Sequence, residues 1–245
     1  MRAIRTFFNL FIAKPYENPL VIWFLKLLRP IVSRLFYLDL VIHTKNFRGQ
    51  TWLGRTNWQP PFDFWNIQEV LSDIKPELLI ETGTHRGGSA YAYAKLFDDL
   101  DHDGRIVSVD IENKRESHAE HSKVTFLVGS STDEAIIEQI NSLVTQCSGP
   151  VMVILDSDHS QGHVQKELEL YNGFVTPDSF LHVQDGFTDL WGKPGPLAAI
   201  NYFLVKHPEF EIDNYRCTRY IVTHNPKGWL RKLPNLSSPK NSVHL

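Results

Sequence analysis

The stretch Glu81-Thr-Gly-Thr-His-Arg-Gly87, followed by Gly88 and Ser89, decides the fold of this chain. The apolar residues 78–80 precede it and predict a buried strand, and the alanine-rich segment 89–96 after it predicts a helix. A strand, a tight glycine turn and a helix N-terminus form a cradle for a nucleotide-like cofactor. Glycine allows close approach of the backbone, and the first amides of a helix are free donors.

The glycine turn differs from the dinucleotide pattern G-x-G-x-x-G, because Thr84 and His85 separate Gly83 from Gly87. An acid directly before the turn suits a cofactor with a cationic amino or sulfonium group, such as S-adenosylmethionine, better than a pyrophosphate. A purely structural turn is the alternative. The candidate cofactor contacts in this stretch are Glu81, Gly83, Thr84, Gly87 and Ser89.

Short apolar segments alternate with helical ones along the rest of the chain. Strands are predicted at 78–81, 105–111, Val124–Val128, Val151–Leu155 and Phe180–Val183, helices at 64–75, 88–96, 133–144, 164–171 and 197–205, and a final antiparallel pair at Phe210–Ile212 and 220–223. This order predicts an α/β fold in which helices cover both faces of a mostly parallel sheet. Ligands of such sheets bind at the carboxyl ends of the strands.

Bulk composition narrows the class of protein. The 245 residues, 28.2 kDa, suit one domain with an extension, and we predict an N-terminal helical arm over 1–60 and a catalytic domain over 61–245. A net charge of −3 gives no case for nucleic acid as a partner. Two cysteines without a CxxC pattern indicate a reducing compartment, so we expect a cytoplasmic protein.

The first 43 residues are rich in Phe, Leu, Ile and Trp, with basic residues between them. No window reaches about 20 uninterrupted apolar residues, which argues against a membrane-spanning helix. No small-residue cleavage site follows the apolar run, so a secretory signal fits poorly. We expect one or two amphipathic helices, and favour an arm that packs on the domain or a partner subunit over an anchor at a membrane surface.

Two polar positions follow the second and third predicted strands. Asp110 ends the second strand and can accept hydrogen bonds from both ribose hydroxyls of an adenosine-type cofactor. The alternative is a loop carboxylate that meets only water. Ser130, after the third strand, falls where a loop would line the adenine, although small polar residues are common in any loop.

Acids also follow the fourth and fifth predicted strands. Asp156 and Asp158 come after one strand and Asp185 after the next. Neighbouring strands lie about 5 Å apart, so these carboxylates can converge on one hard divalent cation such as Mg²⁺. The alternative is that they cap helices, as Asp158 can do for a helix that begins near Ser160.

His159, beside Asp158, is the candidate general base toward a substrate hydroxyl, because the pKa of histidine lies near neutrality. Packing is the alternative role. His159 and His163 lie four residues apart and would share a helix face, but no third zinc ligand is evident. We therefore predict no zinc site.

Several short motifs together resemble one family. They are Trp52-Leu-Gly54, Pro61, Asp63, Gln68-Glu69, Glu81-Thr-Gly-Thr, Gly87-Gly-Ser89, Asp156-Ser-Asp-His159, His163-Val164, Glu167-Leu-Glu-Leu-Tyr171 and Asn225-Pro-Lys-Gly228. From about residue 52 to 233 the chain resembles the cephalosporin hydroxylase-like family of class I S-adenosylmethionine-dependent methyltransferases. That family includes members similar to sugar O-methyltransferases.

The resemblance implies a Rossmann-like, seven-stranded sheet with S-adenosylmethionine at the glycine turn and Mg²⁺ at the acids after the fourth and fifth strands. It also implies homo-oligomers whose N-terminal segments pack across subunits. The family often has two adjacent ligand-type residues at the end of the fifth strand, and here Gln184 precedes Asp185. An amide oxygen carries less charge than a carboxylate, so this departure predicts a weaker or rearranged metal site.

The sequence thus predicts a Mg²⁺-assisted O-methyltransferase that acts on a hydroxyl of a sugar, a glycan or a glycosylated secondary metabolite. Asp156, Asp158, Gln184 and Asp185 are the candidate metal ligands. In the loop 186–196, Phe187 and Trp191 are candidates for stacking on the acceptor or for packing. One alternative is a catalytically silent protein that binds the cofactor and serves in assembly. The other is an iron hydroxylase, which would require His159, His163 and Asp158 to act as its facial triad.

Overall fold

The structure is a computed structural model that describes residues 18–42 and 44–234. Contacts between Cα atoms divide the chain into two compact units, Met1–Thr44 and Lys45–Leu245. The predicted boundary between the arm and the domain, after residue 60, differs from this division, which falls after residue 44. The structure places 45–60 in the larger unit because this segment pairs as a hairpin and lines the same cavity as the glycine turn.

The described part of the N-terminal unit is one long helix, α1 (Pro19–Ile42). The side-chain oxygen of Asn18 accepts a hydrogen bond from the amide of Leu20 at 3.0 Å, so Asn18 caps this helix. Much of the apolar surface of α1 is exposed. Within 18–42 and 44–234, no helix is both long enough and apolar enough to cross a membrane. The predicted helical character of 1–17 falls outside the described residues.

The remaining elements alternate as expected. The helices are α2 (Thr44–Arg48), α3 (Pro61–Ile74), α4 (Gly88–Asp99), α5 (Glu134–Val144), α6 (Gln161–Tyr171), α7 (Pro196–Lys206) and α8 (Asn214–Thr218). The strands are β1 (Thr51–Trp52), β2 (Arg55–Thr56), β3 (Leu78–Thr82), β4 (Arg105–Asp110), β5 (Val124–Val128), β6 (Val151–Leu155), β7 (Phe180–Val183), β8 (Phe210–Ile212) and β9 (Trp229–Lys232). Single 3-10 turns cover Ser117–Ala119 and Gly186–Trp191.

Seven strands form the main sheet, in the order β5-β4-β3-β6-β7-β9-β8. The first five are parallel to one another, and β9 runs antiparallel to both β7 and β8. The predicted Rossmann-like, mostly parallel sheet is confirmed. The order reverses between β3 and β6, and ligands of open α/β sheets bind outside the carboxyl ends of the strands at such a switch point.

Alternate residues of the central strands point to opposite faces and join two hydrophobic clusters. On β3, Leu78 and Ile80 pack with residues of α5, α6 and α7, whereas Leu79 packs with residues of α3 and α4. Strands buried on both faces read as continuous apolar runs. This explains why the bounds of β6 and β7 match the predicted ones; those of β5, a partly exposed strand at the edge of the sheet, match as well.

Two local predictions were wrong. The helix predicted at 64–75 begins three residues earlier, at Pro61, and Asp63 lies in its first turn. The predicted strand at 220–223 does not form, and β9 takes its place as the partner of β8. Ile221 has a φ of +69°, a left-handed conformation that interrupts an extended strand.

Candidate active site

A cavity of about 570 Å³ opens at the carboxyl ends of the parallel strands. Ten of the twelve predicted site residues line it: Gly83, Thr84, Ser89, Asp110, Ser130, Asp156, Asp158, His159, Gln184 and Asp185. The other two, Glu81 and Gly87, lie outside this lining. The topology therefore brings the predicted cofactor contacts and the predicted metal ligands to one chamber.

A cluster of possible metal ligands lies at the ends of β6 and β7. Ligand atoms of Asp156, His159 and Asp185 all lie within 4.8 Å of one another. One oxygen of Asp185 is 3.1 Å from Nε2 of His159, whose side chain is 40% exposed. The backbone of Asp185 is left-handed, with a φ of +58°. Such a conformation costs free energy and persists where neighbouring groups hold it.

The pKa values of the two carboxylates in the cluster shift in opposite directions. Burial, together with the negative charge of Asp185 and that of Glu81, raises the pKa of Asp156 well above its usual range. Burial also acts to raise the pKa of Asp185, but the adjacent His224 outweighs it and lowers that pKa. A divalent cation between the two carboxylates would remove their repulsion. A pair of oxygen donors suits a hard cation such as Mg²⁺, so the residues present fit this metal.

Gln184 is not directed at the cluster in the predicted manner. Its side-chain oxygen accepts a hydrogen bond of 2.9 Å from the amide nitrogen of Gln59, which also reaches a carboxylate oxygen of Asp156 at 3.2 Å. The side-chain nitrogen of Gln184 and the side-chain oxygen of Gln59 are buried without partners among the described residues. Gln184 is thus linked to the carboxylate of Asp156 through Gln59, whose side-chain nitrogen donates to both residues.

Asp158 lies outside the metal cluster. One of its carboxylate oxygens accepts a hydrogen bond from the amide of Ser160 at 2.7 Å, at the start of α6. Hydrogen bonds from Ser160 lower the pKa of Asp158. Ser160 occupies the N-cap position of α6, so Asp158 closes a turn just before the helix and does not cap it. Asp156, and not Asp158, lies in the metal cluster.

The glycines of the turn are required by the packing of the backbone. Gly83 has a φ of +91°, and a Cβ atom there would lie 2.0 Å from the carbonyl oxygen of Asp156. A Cβ atom on Gly88 would lie 1.9 Å from the carbonyl oxygen of Thr56. Gly87 precedes α4 with a φ of +82°. These glycines let β6 and the hairpin β1–β2 approach the turn closely.

Glu81 lies beneath the turn, with its side chain almost fully buried. Its carboxylate accepts a hydrogen bond of 2.5 Å from the hydroxyl of Ser108, on the neighbouring strand β4. Burial raises the pKa of Glu81 to about 7, although this hydrogen bond acts to lower it. The carboxylate of Glu81 thus lies behind the turn and outside the lining of the cavity.

Asp110 is at the mouth of the same turn. One carboxylate oxygen accepts a hydrogen bond from the amide of His85 at 2.7 Å, and the other accepts one from the amide of Glu112 at 3.0 Å. The ring of His85 stacks on that of Trp58, with a centroid distance of 4.1 Å. The two amides fix the carboxylate of Asp110 at the edge of the cavity.

Residues 44–233 match the rhamnosyl O-methyltransferase/CmcI family over most of the chain. This chain belongs to that family. The predicted family is confirmed, and with it the predicted class of enzyme, an S-adenosylmethionine-dependent O-methyltransferase.

Among curated relatives, the rhamnosyl O-methyltransferase of Mycobacterium tuberculosis is 36% identical over 188 residues, which cover 74% of this chain and 77% of the relative. The rhamnosyl O-methyltransferase of Mycobacterium leprae is 33% identical over 189 residues, which cover 74% of this chain and 82% of the relative. Among solved structures, one of CmcI with Mg and SAM has a TM-score of 0.62 at 14% sequence identity. It covers 77% of this chain and 78% of that chain, and this likeness concerns the fold.

Sequence reasoning missed residues that this member of the rhamnosyl O-methyltransferase/CmcI family supplies from distant segments. Nδ1 of His224 lies 2.6 Å from a carboxylate oxygen of Asp185, and the side-chain oxygen of Asn225 accepts a hydrogen bond of 2.8 Å from the backbone amide of Asp185. Gln59 belongs to the same group. One indication of these residues was present in the sequence: Asn225 begins one of the shared motifs. That motif had no assigned function.

In the loop after β7, Phe187 takes one of the two roles that the sequence allowed. Phe187 is 4% exposed, and its ring stacks on that of His224 with a centroid distance of 5.4 Å. Phe187 therefore packs against His224. The side chain of Trp191 is outside the described part of the chain.

The facial triad required by the hydroxylase alternative is not assembled. Nε2 of His163 lies 3.1 Å from the hydroxyl of Ser131 and 3.5 Å from a carboxylate oxygen of the buried Glu167. Asp158 accepts a hydrogen bond from the amide of Ser160 and lies outside the cluster. The described cluster holds one histidine and two aspartates, whereas a facial triad needs two histidines and one carboxylate.

Proposed function

We propose that this chain transfers the methyl group of S-adenosylmethionine to a hydroxyl of a sugar, assisted by Mg²⁺. The observation that carries this proposal is the shared cavity of about 570 Å³, which the glycine turn and the carboxylate cluster both line. A methyl donor and an acceptor must lie in contact for an in-line displacement. A single chamber with a cofactor cradle on one side and a metal cluster on the other provides that arrangement.

The cofactor would lie along the turn between β3 and α4. Gly83, Thr84 and Ser89 would lie against it, and the carboxylate of Asp110 would accept hydrogen bonds from its ribose. The amides of Gly83 and Thr84 donate to the carbonyl of Val109, so the amide of Ser89, in the first turn of α4, would be the donor that faces the cofactor. Glu81, when ionised behind the turn, would attract the cationic amino group of the methionine part. The close-packed glycine backbone described above supports this placement.

The metal would be held by Asp156 and Asp185. When bound, Mg²⁺ lowers the pKa of a hydroxyl that it coordinates and stabilises the developing negative charge. Gln59 and His224 orient the two carboxylates through the hydrogen bonds given above. Such supporting contacts fix the direction of metal ligands and tune their affinity.

His159 would accept the proton of the acceptor hydroxyl at Nδ1, because its Nε2 faces a carboxylate oxygen of Asp185 at 3.1 Å. Its imidazole is partly exposed to the cavity and lies beside Asp185, which would stabilise the imidazolium that forms. In the transfer, the hydroxyl oxygen forms a bond to the methyl carbon as the bond from that carbon to sulfur breaks. The proton goes to His159, and S-adenosylhomocysteine leaves with the electron pair on sulfur.

The proposed acceptor is a deoxyhexose of the rhamnose type. The curated relatives at 36% and 33% identity are named rhamnosyl O-methyltransferases, and each match covers about three quarters of this chain. The cavity lining adds aromatic surface, since Phe47 and the half-exposed Trp58 lie at its rim. Aromatic rings stack well on the apolar faces of sugars.

The full chain, purified and freed of metal with a chelator, provides the test. It would be incubated with S-adenosylmethionine, Mg²⁺ and an aryl α-rhamnoside, and with the matched α-mannoside, which differs by one hydroxyl. We expect S-adenosylhomocysteine and a methylated rhamnoside by mass spectrometry, with turnover lost in chelator and restored by Mg²⁺.

Three other outcomes would each contradict a different part of the proposal. Equal turnover in chelator would remove the metal from the mechanism. Turnover only with the mannoside would replace the acceptor. Tight binding of S-adenosylmethionine in calorimetry without turnover of any glycoside would favour the silent assembly protein.

A further inference from the structure

Helix α1 exposes a continuous apolar stripe. Its members recur every three or four residues, share one side of the helix, and are between 36% and 70% exposed. They are Leu20, Phe24, Leu27, Ile31, Leu35 and Leu38. Soluble proteins rarely leave a contiguous apolar surface of this kind uncovered unless it meets a partner or a membrane.

The apolar side of α1 is wider than this stripe. Leu25, Val32 and Phe36 are also exposed and extend it around about half of the helix, at roughly 100° per residue. Trp23 and Ile22 are exposed as well and lie just beyond the two edges of this side. The seam of a coiled coil is narrower, because it uses only two positions of each heptad. A width of half the circumference is typical of a helix that lies in the plane of a membrane interface.

Basic side chains border the apolar side. Arg29 and Arg34 fall at its two edges, and Lys26 falls on the opposite side. From such edge positions, the aliphatic stems of arginine can follow apolar surface while the charged ends reach a polar layer. Asp39, near the C-terminal end, is the single acidic residue in the sequence of α1.

The charge of the chain is divided unevenly. Residues 1–42 contain six basic and two acidic residues, a net charge of +4, so the remainder carries −7 within the total of −3. Side-by-side packing of two copies of α1 would bring these positive charges together. The negatively charged phosphates of a lipid surface complement them.

We propose that α1 lies on an anionic lipid surface, with its apolar side at the boundary between headgroups and acyl chains. The helix carries four charged residues and does not meet the criteria for a membrane span, so it would lie along the surface. The sequence alone favours an arm that packs on the domain or a partner subunit. The exposed apolar side of α1, which only the structure shows, favours the lipid surface instead. This proposal is independent of methyl transfer.

Sedimentation of the full chain with vesicles tests the proposal. One vesicle preparation would be phosphatidylcholine, and the other would contain equal parts of phosphatidylcholine and phosphatidylglycerol. We expect binding to the anionic vesicles that is at least about tenfold tighter than to the neutral ones and weakens with added salt. Equal binding to both, or no binding to either, would overturn the proposal without recourse to any variant.

Two double variants separate the apolar and the basic contributions. Phe24→Ser with Ile31→Ser should weaken binding about 100-fold or more, because both side chains lose burial in the interface. Arg29→Gln with Arg34→Gln should weaken it about 30-fold, since each basic residue near an anionic surface contributes about 1 kcal/mol. Matched controls in the larger unit are Val205→Ser, at an exposed apolar position, and Lys193→Gln, and both should bind as the parent does.

Circular dichroism and binding of S-adenosylmethionine would establish that each variant is folded. Sedimentation velocity would then report the size of the parent and of the Phe24→Ser, Ile31→Ser variant without lipid. If the variant dissociates an oligomer and the parent ignores vesicles, a second copy of the chain covers α1 and the lipid proposal fails.

Discussion

The two ends of the cavity are built in different ways. The glycine turn is local: one stretch of about ten residues forms the strand end, the turn and the helix start, and its glycines fit against β6 and the β1–β2 hairpin. The carboxylate cluster is assembled from afar, with Gln59 from before α3, two aspartates from β6 and β7, and His224 from just before β9. A local motif specifies its own geometry, whereas an assembled cluster depends on the whole sheet.

The largest effect is expected at the assembled end. Asp185→Asn removes a charge from the proposed metal pair and should lower kcat/KM about 1000-fold, equivalent to about 4 kcal/mol. Asp178→Asn is the matched control, because Asp178 is also left-handed, at a φ of +64°, but lies on the surface beside Arg231. Steady-state kinetics with Mg²⁺ measure both. Full activity of Asp185→Asn after treatment with a chelator would exclude the metal role.

Substitutions in the glycine turn should lower the stability of the protein. Gly83→Ala places a Cβ atom against the carbonyl oxygen of Asp156 in a left-handed conformation, and the free energy of unfolding should fall by about 3 kcal/mol. Gly162→Ala, in α6 with open space around it, should raise stability by about 0.5–1 kcal/mol. Urea denaturation measures both changes. If Gly83→Ala keeps its stability and loses only cofactor binding, the glycine serves the ligand and not the packing.

Glu81 gives the local end a pH dependence. Its pKa is about 7 in the folded protein against 4.5 for an ordinary glutamate, so the folded state holds the proton more tightly than the unfolded state. Stability therefore falls as the pH rises from about 4.5 to 7, by up to about 3 kcal/mol. Glu81→Gln should remove this slope and weaken the binding of S-adenosylmethionine above pH 7. An unchanged slope in chemical denaturation across this range would show that another group carries it.

A smaller effect on metal binding is expected when His224, which supports the carboxylate cluster from a distant segment, is replaced. His224→Gln leaves both carboxylates in place but removes the imidazole that orients Asp185, so Mg²⁺ should bind 10–100-fold more weakly. Because the ligands remain, kcat should recover at saturating Mg²⁺, which a merely unfolded site would not allow. His207→Gln, at a surface histidine between Glu169 and Glu209, is the control. Calorimetric titration with Mg²⁺ compares the two.

The same contrast decides what the sequence can predict. The sheet was predictable because its strands are short and mostly apolar, with β6 a continuous apolar run, and the acids that follow β6 and β7 reach one edge by topology alone. Gln59 and His224 were not predictable, since nothing near them in sequence indicates which strand end they will meet. Asp158 was ambiguous because a carboxylate three residues before a helix can serve as a cap or as a ligand. In the structure it accepts a hydrogen bond from the amide of Ser160, the residue at the N-cap position of α6.

The antiparallel strand β9 has a consequence for how the enzyme is made. It enters the sheet beside β7 from near the end of the described chain, and the residues just before it, His224 and Asn225, hold Asp185. During synthesis the glycine turn is complete long before these residues leave the ribosome, because domains form from the N-terminal side as the chain grows. A nascent chain that stops short of β9 would thus already possess a cofactor cradle while its proposed Mg²⁺-binding edge is still without support.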